Sequence, residues 1–168
     1  MATYDPDLTD RLSLALAEAG VLSQFRAVCL RYGPKTPYGA GRLKAKTLAS
    51  ALVAAGASAK AIPKFQVVQF GHQTIGDWTW FGVVHIQTGQ VLEVMFEGAD
   101  GIRSAGSTLH SLCNKAARQR PGIVESGSPY PRPYYDDEPG RLEAIAADLV
   151  ALIDAIQVVI RDTPGLLD

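Results

Sequence analysis

Cysteine and histidine are both scarce in this chain: two cysteines, Cys29 and Cys113, and three histidines, His72, His85 and His110, in 168 residues. Neither cysteine has a CxxC neighbour, so a secreted disulfide framework and a paired-thiol zinc site are both excluded, and reduced thiols are the simpler expectation. The histidines lack metal-ligating neighbours at three- or four-residue spacing, and HExxH, HxE and PCxxC are absent, so zinc hydrolysis and zinc deamination lack their ligands. There is no GxSxG elbow for a serine hydrolase. The expectation is therefore no metal, no cofactor and no enzyme activity. Long hydrophobic runs are missing too: none reaches the roughly 18 residues of a membrane span. The first residues, Met1 to Asp7, are polar and acidic where a secretory signal is basic. These absences predict a cytoplasmic protein with no membrane partner.

What is present describes one globular domain, expected over residues 1–168. At 47% hydrophobic and 20% charged residues the composition suits a folded chain with a core of its own. The net charge of −1 hides an asymmetry. Residues 1–65 carry nine Lys or Arg against four acids, whereas residues 66–168 carry seven against thirteen. Either the halves neutralise one another across one surface, or an acidic side steers a basic partner.

Periodicity and turn chemistry set the order of elements. Asp5-Pro6-Asp7 has the residues of a helix start, followed by Leu8, Leu12, Ala15, Leu16 and Ala19 at helical spacing and Gly20 as a stop. Residues 21–30 pack either as strand or as helix. Residues 33–41 are a proline- and glycine-rich loop, and a second helix is expected from Lys44 to Ala55. Strands are expected at 65–70, 78–86 and 91–96, with a short fourth around Ile102. In the second strand Trp78, Trp80, Gly82, Val84 and Ile86 share one face, and Thr79, Phe81, Val83 and His85 the other. Both rows are largely apolar, which makes this strand central, with helices on at least one side. Ser107 is placed to cap a helix reaching Gln119. Asp136-Asp137-Glu138-Pro139 is placed to start a final helix with Leu142, Ile145, Leu149, Leu152, Ile153 and Ile156 on its buried stripe. The plan is an α+β fold, a mainly antiparallel sheet flanked by N- and C-terminal helices. Its parts are a helical and loop region over 1–64, the sheet over 65–104, a helix over 107–119, a loop over 120–138 and a helix over 139–160.

Several segments carry a trace of known chemistry. Gly41 to Thr47 ends in Lys-Thr before a helix, as a phosphate loop does, but has Ala45 where such a loop needs glycine. Thr47 to Ile62 has the outline of a helix-turn-helix, yet Pro63 interrupts the second helix and no polar row is left to read bases, so no nucleic-acid partner is expected. Trp78, Trp80 and Phe81 form either a stacking platform or core. Cys113, with His85 or His110 as a base, is the candidate set for a small enzyme whose residues converge only on folding. Its place on an apolar helix stripe favours packing instead.

The run Trp80 to Val91, with its Thr88-Gly89-Gln90-Val91 turn, and the helix start Ser107-Thr108-Leu109-His110-Ser111-Leu112 together resemble the SUKH superfamily, which supplies immunity proteins of bacterial polymorphic toxin systems. That family's pattern has a Thr-Gly-x-Val turn, a further strand and an Asn-Ser-Ser-Leu helix start. Here Ala105-Gly106-Ser107-Thr108-Leu109 keeps the serine and the leucine but lacks the asparagine. The likeness extends loosely over residues 65–156. It implies a non-enzymatic bacterial immunity protein that neutralises a cognate toxin by binding it. A chaperone or adaptor for a secreted protein is the remaining alternative.

The tract 120–139 holds five prolines and three tyrosines. Tyr130, Arg132, Tyr134, Tyr135, Asp136, Asp137 and Glu138 are the expected partner-binding residues, because prolines limit flexibility, tyrosines give contact area at low entropic cost and acids attract a basic surface. The competing expectation is that the acids cap the last helix while the tyrosines fold back onto the sheet.

Overall fold

Asp5 opens the first helix as its sequence predicts, its carboxylate accepting from the Leu8 N–H at 2.9 Å with Pro6 in the first helical position. The structure, a computed structural model, describes residues 1–33, 42–88, 90–126 and 132–168. Helix α1 (Pro6–Glu18) buries Leu8, Leu12 and Leu16 at its apolar spacing. The ambiguous stretch after Gly20 is helical: α2 (Val21–Arg31) buries Val21, Leu22, Phe25, Val28 and Cys29. Helix α3 (Ala45–Ala54) follows, and the chain then turns into the sheet.

The sheet has six strands in the order β1-β6-β5-β4-β3-β2. They are β1 (Thr3–Tyr4), β2 (Ala59–Ile62), β3 (Val67–Ile75), β4 (Trp78–Ile86), β5 (Leu92–Ala99) and β6 (Arg103–Thr108). All neighbours run antiparallel except the short β1, which lies parallel to β6. Helix α4 (Leu109–Gln119) leaves β6 directly, and the long α5 (Arg141–Asp162) closes the fold. The α+β class and the antiparallel sheet with helices before and after it are as expected, and β4 matches its predicted bounds.

Other boundaries move for identifiable reasons. Pro63–Phe65 forms a 3-10 turn and Gln66 adopts a left-handed backbone with φ 52°, so the strand expected at 65–70 begins at Val67. It runs on through Gly71 by way of an irregularity between Phe70 and Gln73. The strand near Ile102 starts one residue later and leaves Ile102 77% exposed. Thr108 rather than Ser107 caps α4, its hydroxyl accepting from the Ser111 N–H. The last helix begins at Arg141, after Gly140, whose left-handed backbone (φ 78°) stands at the cap in place of the acids. β1 and β2 lie outside the expected strands: two residues are too few to show alternation, and Ala59–Ile62 holds two alanines and a lysine, residues that suit a helix as well.

One face of the sheet meets the helices. Val68 and Phe70, Trp78, Trp80, Val84 and Ile86, and Leu92, Val94 and Phe96 all point into this layer and are buried there. The aromatic rings stack: Trp78 on Trp80 at 5.2 Å between centroids, and Trp80 on Phe96 at 5.3 Å, nearly parallel at 4°. They lie this flat because glycine stands opposite. Gly98 pairs with Trp80 in register, and a Cβ there would meet the indole at 2.3 Å. Gly82 pairs with Phe70, and a Cβ there would sit 2.7 Å from that ring and 2.8 Å from Ile153 of α5. Trp78 and Trp80 are therefore core, not a stacking platform.

The close contact generates a test. Gly98→Ala forces the indole of Trp80 off its neighbour, and overpacking of this kind costs about 1–3 kcal/mol. Urea unfolding should show a midpoint lowered accordingly, and an unchanged midpoint would contradict the register between β4 and β5.

Candidate functional site

The expected partner-binding tract is a structural strap over most of its described length. Residues 133–135 dock against the start of β5. Pro133 O accepts from the Leu92 N–H at 2.9 Å, the Tyr134 N–H donates to Tyr32 O at 2.8 Å, and the Tyr135 N–H donates to Gln90 O at 3.1 Å. Tyr134 also bridges Val91. Its side chain is 1% exposed, which places it in the core and overturns its assignment to a docking surface. An amphipathic tyrosine followed by acids has the composition of a hot spot and of a strap alike, and only the contacts of the folded chain separate the two.

Arg141 fastens the strap. Its side chain is 7% exposed and lies 3.2 Å from an Asp136 carboxylate oxygen and 3.4 Å from one of Glu138. It also donates to Tyr134 O at 3.1 Å and Tyr32 O at 3.3 Å, with its guanidinium over the Tyr32 ring at 5.5 Å. One buried cation thus serves two carboxylates and two carbonyls, one of them at the end of α2. Asp136 and Glu138 are spent holding this cation rather than capping α5. Tyr135 is half-buried, and a hydrogen bond from its phenol to Asp137, ahead of burial, raises its pKa. Asp137 is exposed, with a left-handed φ of 61°. Arg132 lies 2.7 Å from Glu93. Tyr130 lies outside the described residues.

The fold separates His85 from Cys113. His85 projects from the open face of β4, whereas Cys113 is fully buried on the inner face of α4. Burial pushes the Cys113 thiol up to about 11 and the Cys29 thiol up to about 12, against an ordinary 9.0. Both are protonated near neutrality and lack the thiolate a nucleophile needs. Burial, then the positive charges of Arg132 and Arg26, hold His110 below the usual imidazole range. Among the described residues no group of three or more His, Cys, Asp or Glu is placed to hold a metal ion. No single helix among them is long and apolar enough to cross a membrane.

What remains is the second face of the sheet, the alternate row that periodicity predicts for β4. Its positions alternate with the buried row and are exposed or half-exposed: Lys60, Val67, Gln69, His72, Thr74, Thr79, Phe81, His85, Met95 and Glu97. Val83, at its centre, is buried among them. An antiparallel sheet facing water is ordinarily polar on that side. Here the middle of the row is Phe81, Val83 and Met95, the last two in register, with the His72 ring stacked on Phe81 at 4.8 Å. Two hollows mark its margins. One, of about 510 Å³, lies by Lys64, Phe65, Gln66 and His85, with Phe65 61% exposed. The other, of about 210 Å³, lies between Tyr4 and Phe81 over Glu97 and Gly106.

Glu93 and Glu97 share this face but not the same surroundings. Burial raises both carboxyls; at Glu93 the charges of Arg132 and then His85 oppose the rise, whereas at Glu97 burial acts alone. The fold and this face define an α+β protein with a helix-backed sheet that leaves one side open. Comparison with protein-family models, with curated proteins and with solved structures found no match.

Two outcomes test this account. Tyr134→Ala should cost about 3–5 kcal/mol, as truncation of a buried aromatic does, and Arg141→Met about 1.5–3 kcal/mol through lost charge-assisted bonds. Thermal or urea melting reads both, and a Tyr134→Ala protein as stable as the parent would restore that residue to the surface. The thiols give a pH test. Their folded pKa values lie above the unfolded ones, so their contribution is intact below pH 9 and is lost as pH rises from there towards 11–12. Stability should fall across that range, and a Cys29→Ala, Cys113→Ala variant should fall less steeply; parallel curves would contradict the assignment.

Proposed function

We propose that this chain is a non-enzymatic protein-binding domain that receives its partner on the open face of the sheet. The observation that carries the reading is the apolar centre of that face, Phe81, Val83 and Met95, on a side where no described helix packs. Phe81 and Met95, partly exposed over the buried Val83, give that side apolar contact area of the kind an interaction site uses, and rigid strands backed by a packed core offer it without an ordering cost. The raised thiols speak against cysteine chemistry as the alternative.

The partner class comes from the resemblance of Trp80 to Val91 and Ser107 to Leu112 to the SUKH superfamily: a bacterial toxin, neutralised by being bound in the cytoplasm. A reducing compartment of that kind keeps Cys29 and Cys113 as free thiols.

The test is co-expression with the protein encoded beside this chain's gene, followed by size-exclusion chromatography and titration calorimetry. The parent chain should form a defined complex and relieve the toxicity of its neighbour. Met95→Asp, which places a charge at the centre of the face, should weaken the complex by about 2 kcal/mol or more with little change in melting temperature. Asp137→Asn, in the strap, should leave affinity unchanged. Parent affinity in the Met95→Asp chain would move the interface off the sheet.

A further inference from the structure

We propose that the hollow over Glu97 is the socket for one cationic side chain, a lysine or arginine, of the protein partner. The inference rests on the open face being the binding surface, and it names what one part of that surface recognises.

The socket is built by what flanks Glu97 in register. On β4 its neighbour is Phe81, and on β6 it is Gly106. Gly106 has φ 112°, and a Cβ there would lie 2.1 Å from the Phe96 carbonyl oxygen, so β6 presents no side chain at this point. The next wall is Tyr4, carried on β1 beside Ser104 and 49% exposed. The result is a hollow of about 210 Å³ whose lining includes Tyr4, Phe81 and Glu97. That volume is below the roughly 300–1,000 Å³ of small-molecule sites, and suits one side chain rather than a metabolite.

Charge selects the occupant. Among the described residues Glu97 makes no ion pair or hydrogen bond, whereas Glu93, four residues earlier on the same face, has Arg132 at 2.7 Å. A half-buried carboxylate without a counter-ion carries a desolvation cost that an arriving cation removes. Burial alone raises its carboxyl, in keeping with an empty socket. Aromatic walls favour an ammonium or guanidinium further. The adjoining end of the sheet has the same sign, since Asp5 and Asp100 share the single guanidinium of Arg103. A lone carboxylate is too few oxygens for a calcium or magnesium ion, and a negative hollow repels an anionic lipid surface.

Two measurements on the full chain decide the matter. In the first, carboxyl-detected NMR follows Glu97 while Nα-acetyl-lysine methylamide, Nα-acetyl-arginine methylamide or the uncharged Nα-acetyl-norleucine methylamide is added at millimolar concentration. The cationic probes should lower the Glu97 titration midpoint and shift resonances of Tyr4, Phe81, Glu97 and Gly106. Tyr4 is the other titratable group lining the hollow. Norleucine should do neither, and Glu97→Gln should abolish the response. Equal shifts with norleucine, or in the Glu97→Gln chain, would overturn the socket. In the second, the complex with the neighbour-encoded partner is measured for Glu97→Gln and Glu97→Ala, each checked for an unchanged fold by its amide spectrum. Loss of about thirtyfold or more in affinity is expected for breaking a desolvated charge pair. If Met95→Asp abolishes binding while both Glu97 variants bind as the parent does, the socket is wrong and the binding face stands. If the partner never binds, the binding face is wrong, and the probe titration still judges the socket.

Discussion

The fold depends on aromatic rings lying flat across the backbone of the strand beside them. Trp80 occupies the space a side chain at Gly98 would take, and Phe70, with Ile153, fills that of Gly82. This close approach allows Trp78, Trp80 and Phe96 to stack in one thin layer with α5 directly above. It also fixes the register of β3, β4 and β5, because a slip of one residue would exchange the two faces of a strand. With the bulky inner residues committed to the helix side, the outward row carries no part of the main core, and Val83, buried at its centre, stands apart from that core. The open face is thus a consequence of the packing beneath it.

Arg141 does for the chain ends of the helical layer what the glycines do for the sheet. It joins the end of α2, the strap and the start of α5 through the Tyr32 and Tyr134 carbonyls and two carboxylates. A buried cation is tolerable when its donors are this well used, and removal of one partner would leave the rest unsatisfied. The long α5 then lies across the layer, with Ile145, Leu149, Leu152, Ile153, Ile156 and Ile160 all buried.

Much of this was legible in the residues and some of it was not. Alternation from Trp78 to Ile86 named a central strand and both its faces, because a period of two survives even where both rows are apolar. Asp5-Pro6-Asp7 named a helix start because capping chemistry is local. Tyr134 has the composition of a surface residue yet is buried, and composition alone does not reveal that Arg141 lies within reach of its carbonyl and of Asp136 and Glu138. The socket over Glu97 depends on Gly106 and Tyr4 arriving from β6 and β1, and the short β1 leaves no periodic trace. What leaves no trace in the sequence is what depends on contacts between residues remote along the chain.

The claim on which the functional account turns is that the sheet face, not the strap, meets the partner. Hydrogen–deuterium exchange of the chain, alone and with its neighbour-encoded partner, tests it directly. The account predicts slowed exchange upon complex formation in peptides spanning 79–85 and 93–99, with no change in 132–138. Protection confined to 132–138, with the strands unaffected, would contradict it.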